Sequence, residues 1–411
     1  MAAASTSAQS ASAQVESTNQ APPTAVTGNG GAVTEDEAAL YDRQIRLWGL
    51  AAQNRLRSAH ILIVGWNGIA TEVIKNTVLS GIGSITVLDP TVIDGSVDLL
   101  SGFFFRDEEV GQPKCSQGPL DRVRALNPLV KVHGLSDAQS YETLLNGGEE
   151  AQAWLKQRGV DVVVADTPLP ETQADGVGLR EKLVILNDTA RAAGIKFFLS
   201  ATQGFGGFYF ADQITHDYII ERSLPPPPSA ASTSTTPSET TTEPKRIKRR
   251  QTFVPLSASL AQQWTGLTER QQRRTRIPLD WFIWLALTDL QSRLSLHHTS
   301  TAISAEALKD RTTAMIREKG LAPETVYAQF AAGAGDDAVA RIFDSVVSVG
   351  GTGVALAPVA SVVGGVLSQD ILNSIGGREE PVVNWLFLSI DASGVTNVLR
   401  IGNLPNPITV D

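Results

Sequence analysis

The chain has 411 residues, 42% of them hydrophobic, with a formal charge of −9 and a single cysteine. That is enough apolar material for one large core or two smaller ones, and the negative charge argues against nucleic acid as a partner. Cys115 alone excludes an intrachain disulfide framework and a Cys-x-x-Cys metal site, and it fits a reducing compartment, nucleus or cytoplasm.

Residues 1–33 are Ala, Ser, Thr, Gln and Gly with few large apolar residues, so they are expected to form a disordered leader. No Lys or Arg precedes Arg43, which argues against a secretory or transit signal. Thr34-Glu-Asp-Glu37 reads as an N-cap and acidic first turn opening a helix through Trp48, with room to reach Leu56. On that helix Arg43 and Arg46 fall nearly on one face, an arrangement that is ordinarily a solvated surface.

His60–Ala70 reads as strand, glycine turn and helix, followed by a second strand, Ser84–Leu88, closed by Asp89. This is the opening of a nucleotide-binding α/β domain. The turn departs from G-x-G-x-x-G: Gly65 and Gly68 remain, but Asn67 and Ala70 stand at the other two glycine positions. Because many α/β folds use glycine only to turn, the spacing is weak, and the turn alone supports a working nucleotide site and a relic of one equally. Asp89 is placed to accept from a ribose or, as often, from nearby backbone. No Walker loop is present, which excludes P-loop ATP hydrolysis.

Further strands are expected at Val160–Ala165, Ile195–Leu199 and Gly207–Ala211, with helices at Ala70–Ser80 and Leu179–Ala193. The alternation predicts a Rossmann-like, doubly wound, mostly parallel sheet whose first part spans 34–224. Cys115 follows Lys114, which could lower its pKa, although a small buried residue opening a helix is the commoner reading. Residues 225–250 read as a disordered Pro/Ser/Thr linker ending in the basic cluster Lys245–Arg250. Against an acidic body, that cluster is expected to be read by a nuclear import receptor.

Residues 251–347 read as a strand re-entering at Thr252–Leu256, then a helical insertion with Trp264, Trp281 and Trp284 in its core. The His297-His298 pair has no cluster of ligands around it, so no metal site is expected. Residues 348–411 complete the sheet with a helix at Val359–Leu372 and strands at Trp385–Ile390 and Thr396–Ile401. Ser345–Gln369 carries no charge and is long enough to span a bilayer, but Gly350-Gly351, Gly353 and Pro358 interrupt it. A buried helix and no membrane contact are expected there.

Tyr41-Asp-Arg-Gln-Ile-Arg-Leu-Trp-Gly49 closely resembles the N-terminal signature of the ThiF-type adenylation domains of ubiquitin-type activating enzymes, especially their non-catalytic halves. Val64-Gly-Trp-Asn-Gly68, Val110-Gly-Gln-Pro-Lys114, Leu126-Asn-Pro128, Gly204–Asp212 and Leu356–Gly365 extend the resemblance over most of Leu40–Ile401, outside the linker. Their order and length are most similar to the small subunits of heterodimeric SUMO-activating enzymes. The resemblance implies an obligate heterodimer with a catalytic large subunit, action on SUMO, and ATP with Mg bound at the partner. It also implies that Arg43 reaches the partner's ATP phosphates in trans.

In active halves the stretch matching Ser96–Gly102 carries an arginine that holds ATP. Here it has none, and Asp98 would repel triphosphate. Gly65, Gly68, Asp89 and Lys114 would then be vestigial nucleotide residues, with Lys114 at the surface or an interface. The chain alone would be inactive. The alternatives are the small subunit acting on a Nedd-type modifier and a stand-alone NAD-dependent oxidoreductase.

Overall fold

The computed structural model describes residues 40–169, 177–222, 245–296, 303–332, 337–349, 354–389 and 395–410. The expectations for 1–33, Thr34–Glu37, residues 225–244, the His297-His298 pair and Gly350, Gly351 and Gly353 lie outside them. The chain divides into two compact units, 1–42 and 43–411, and of the first only Leu40, Tyr41 and Asp42 are described.

The N-terminal helix is interrupted. Helix α1 (Asp42–Trp48) ends where Gly49 turns to φ 84°, donating to the Ile45 carbonyl at 2.8 Å, and α2 (Leu50–Ser58) starts anew. Glycine adopts that left-handed conformation without steric cost. The sheet's centre then forms in sequence order from β1 (His60–Val64), α3 (Gly68–Leu79) and β2 (Ser84–Leu88). These strands are apolar runs buried on both faces, as parallel strands covered by helices on each side must be.

After α4 (Gln117–Arg124) come β3 (Lys131–Leu135), α5 (Ala138–Asn146), α6 (Gly148–Gln157) and β4 (Val162–Thr167). Helix α7 (Leu179–Ala192), β5 (Lys196–Gln203) and β6 (Gly206–Asp212) follow. Late in the chain, α14 (Ala357–Gly376), β9 (Trp385–Ser389) and β10 (Val395–Leu399) close the layer. The spatial order is β10-β9-β6-β5-β4-β1-β2-β3. Strands β3, β2, β1, β4 and β5 are parallel, and β6, β9 and β10 add in antiparallel fashion. The fold is therefore the Rossmann-like, mostly parallel architecture expected.

Side chains alternate between two cores. Leu62 and Val64 of β1 face one with Phe208, Trp281, Trp284 and Trp385; Ile61 and Ile63 face the other with Trp66, Val359 and Val363. Ahead of α14 lie α8 (Leu256–Leu260), α9 (Glu269–Thr275), α10 (Leu279–Leu296), α11 (Ala305–Glu318), α12 (Pro323–Ala331) and α13 (Ala338–Ser348). Trp281 and Trp284 are buried as expected, and Trp264 packs edge-on to Trp281 at 5.6 Å. Among the described residues no helix is long and apolar enough to cross a membrane.

The basic cluster departs from its expectation. Lys245–Arg250 is not the end of a disordered linker but most of β8 (Lys245–Thr252), antiparallel to β7 (Thr215–Arg222) and flanked by β11 (Ile408–Thr409). The re-entering strand thus starts at Lys245 rather than Thr252. Pairing with β7 satisfies one side of its backbone along its length, and Asp217 on β7 receives both Arg250, at 2.6 and 2.8 Å, and Lys248, at 3.2 Å. Those cations, Arg250 first, hold the Asp217 carboxyl well below the usual carboxylate range.

Candidate functional site

In an open parallel sheet, ligands bind outside the carboxyl ends of the strands where the strand order reverses. Here that point lies between β1 and β4, with the Gly65–Gly68 turn above it. Gly65 holds φ 84°, and a Cβ there would lie 2.5 Å from the Asp166 carbonyl. Asn67 donates from Nδ2 to the carbonyls of Asp166 (2.8 Å) and Pro168 (3.1 Å), lashing the turn to the end of β4. The residue that replaces the second glycine thus has a structural task.

Ser101 and Ala355 pack directly against Gly68. A Cβ on Gly68 would lie 2.5 Å from the Ser101 hydroxyl and 2.6 Å from the Ala355 methyl. Trp66 is fully buried and packs against Phe105 and Phe104, with ring centroids 5.0 and 6.1 Å away. At the start of α3, where a phosphate would take the free amides, the Ala70 N–H donates to the Asp166 carboxylate at 2.8 Å. Asp166 also accepts from the Ser200 hydroxyl at 2.7 Å, and burial raises its carboxyl to about 7.

Asp89 accepts from the Trp66 amide at 2.7 Å through one oxygen, and from the Thr91 amide and hydroxyl at 2.8 and 2.6 Å through the other. Hydrogen bonding to nearby backbone, one of its two expected readings, is present. Lys114 corrects its expectation: it is 6% exposed, not a surface or interface residue. Its Nζ lies 2.8 Å from Asp98 and 3.8 Å from Asp89 and donates to the Trp66 carbonyl at 3.2 Å. Burial raises the Asp98 carboxyl, against the pull of Lys114. A cation between two buried carboxylates must stay inside, because any of the three left unpaired there is costly.

Cys115 sits beside this cluster, with burial and then the Asp89 charge pushing its thiol up to about 12. The thiol donates to the Val87 carbonyl at 3.4 Å, so Lys114 does not activate it. Arg43 belongs to a different setting. It is exposed on α1, a helix with no buried residue, and has no hydrogen bond or ion pair among the described residues. Arg46 is exposed on the same helix. The structure therefore unites Gly65, Gly68, Asp89 and Lys114 in one cluster and places Arg43 on an exposed helix instead.

Sequence reasoning missed Asp166 and Ser101. Asp166 carries one available signal, an acidic residue closing a buried apolar strand at the ligand edge of a parallel sheet. Ser101 carries none, since its proximity to Gly68 arises only in space.

With this geometry in view, the profile of the ThiF family matches residues 41–406. The chain belongs to the ThiF family. Among curated relatives it is 29% identical to SUMO-activating enzyme subunit 1 of Rattus norvegicus, over 91% of this chain and 97% of that protein. Identity to the protein of the same name from Homo sapiens is 26%, over 90% and 97%. It is 31% identical to the DNA damage tolerance protein RHC31 of Saccharomyces cerevisiae, over 86% and 94%.

Proposed function

We propose that this chain is the regulatory, non-catalytic subunit of a heterodimeric SUMO-activating enzyme, working with a catalytic large subunit. The partner holds ATP with Mg, adenylates the SUMO C-terminus and takes the product onto its own cysteine. This chain supplies Arg43 in trans to the partner's ATP phosphates. Full-length likeness to proteins named SUMO-activating enzyme subunit 1 supports the choice of modifier.

The observation that carries the reading is the turn filled from within. Ser101 and Ala355 crowd Gly68, Asp166 takes the Ala70 amide, and Lys114 is neutralised by Asp98 and Asp89. A triphosphate would have to displace paired buried groups and meet three carboxylates there. Arg43 is by contrast exposed and, among the described residues, unpaired, and a guanidinium brought to phosphate forms charge-assisted, planar contacts.

SUMO-dependent ATP–pyrophosphate exchange tests this. Exchange is expected from the mixture with the large subunit and not from this chain alone; exchange by the chain alone overturns the inactive-half reading. Arg43→Ala in the assembled heterodimer is expected to slow exchange by about 10²-fold or more, with assembly intact by gel filtration. An unchanged rate removes Arg43 from the mechanism.

Nuclear residence belongs to the same proposal. Arg246 and Lys248 are exposed on β8 and offer an import receptor a basic face. Substituting both with Ala is expected to shift the chain toward the cytoplasm.

A further inference from the structure

In a doubly wound sheet the parallel strands begin at one edge, and the helices return their carbonyl ends to that same edge. At the starting edge of β4 and β5, opposite the glycine turn, lies a cavity of about 550 Å³. Its walls include Arg55 in the last turn of α2, Lys156 in the last turn of α6, Lys196 at the start of β5, and Ile375 near the end of α14.

Cations at helix carbonyl ends have an ordinary task, and two of these perform it. Arg55 donates to the Gly376 carbonyl, and Lys196 Nζ to the Ser374 carbonyl at 2.7 Å and hydroxyl at 2.8 Å. That task leaves donors over, because a guanidinium has five N–H groups and an ammonium three. Lys156 has no hydrogen bond or ion pair among the described residues, and neither Arg55 nor Lys196 pairs with a carboxylate there. The acid in the wall, Asp161, already accepts the His60 amide at 2.8 Å through one oxygen.

Burial lowers the Lys196 ammonium to about 8, with Asp370 and then Asp161 opposing the shift and Arg55 adding least to it. His216 on β7 feels the Lys196 charge in turn. An open cavity of this volume with three cations and one acid, Asp161, in its wall carries a net positive side-chain charge and suits an anion.

We propose that the cavity binds a small, multiply charged phosphate oxyanion between Arg55, Lys156 and Lys196. The shared chemistry is the phosphate group, whether as free diphosphate or as the phosphate arm of a nucleotide. Arg55 supplies planar bidentate contact and the two lysines supply charge. The site is independent of the glycine turn, which lies at the other edge of the sheet.

Titration calorimetry on the full chain tests this with Mg-free inorganic pyrophosphate and, separately, ADP. Saturable binding by either at pH 7 is expected; equal affinities identify the phosphate alone as the recognised group, and tighter ADP binding identifies a nucleotide arm. Arg55→Gln is expected to weaken binding about tenfold and Lys156→Gln about threefold, with the thermal midpoint of Lys156→Gln unchanged because its side chain is exposed. Raising the pH from 7 to 9 is expected to weaken binding as Lys196 loses its proton. No binding up to about 10 mM, or binding that ignores both substitutions and pH, overturns the proposal.

Discussion

The two edges of the parallel sheet are opposites. At the carboxyl edge, where this architecture ordinarily seats its ligand, Asp89, Asp98, Asp166 and Lys114 are each bonded within the chain, and Ser101 fills the approach to Gly68. At the amino edge, Arg55, Lys156 and Lys196 line an open cavity with no carboxylate paired to them among the described residues. A few side chains thus bond together the edge that the fold ordinarily leaves for a ligand, while the strands and helices around it stay intact. Charge left unpaired is the better guide to where an anion would go.

Breaking the ion cluster at the closed edge gives the largest effect. Lys114→Met leaves Asp98 and Asp89 buried without their cation, and is expected to cost about 3–5 kcal/mol in urea unfolding of the isolated chain. Asp98→Asn introduced together with it should recover part of the loss. A loss under about 1 kcal/mol would mean that the cluster is solvated and not closed.

The fit of Ser101 against Gly68 gives a smaller effect. Gly68→Ala puts a methyl 2.5 Å from the Ser101 hydroxyl and 2.6 Å from Ala355, and should destabilise by about 1–3 kcal/mol. Ser101→Gly in the same chain relieves one of the two contacts and should return part of that. A neutral Gly68→Ala would show that the crossover segment moves aside freely.

Much of this was legible in the sequence because it is local. Strands β1 and β2 and helix α3 are written as apolar runs around a glycine turn, and the tryptophans of the helical insertion mark its core. Strand β3 was missed because Lys131-Val-His-Gly-Leu135 sits at the sheet edge, with only Val132 fully buried. The start of strand β8 was misplaced because its partner lies across the long insertion, Arg222 pairing with Lys245, and its charged residues read as solvated chain. The same limit applies at the closed edge. Asn67 and Ala70 showed that the turn was altered, but its filling depends on Asp166 and Ser101, which are distant in sequence or carry no pattern.

The two edges should also respond to pH with opposite sign. Burial raises Asp166 at the closed edge and Asp370, on α14, from 3.8 to about 7 each. Between those values the folded chain holds protons that the unfolded chain has released, so these acids make stability fall as pH rises from about 4 to 7. His216, lowered from 6.5 to about 3, works against them below 6.5. Lys196, beside the open cavity, is lowered from 10.5 to about 8, so stability rises with pH between those limits. Each group contributes a slope of about 1.4 kcal/mol per pH unit within its window. Subtraction isolates them. Urea unfolding of the parent chain minus Asp166→Asn should decline from pH 5 to 7, and the parent minus Lys196→Met should climb from pH 8 to 10. Adding pyrophosphate at pH 9 should lessen the second slope, because an anion in the cavity restores the proton to Lys196. If the slope persists at saturating pyrophosphate, the anion does not sit against that ammonium, and the contrast between the edges reduces to one of packing.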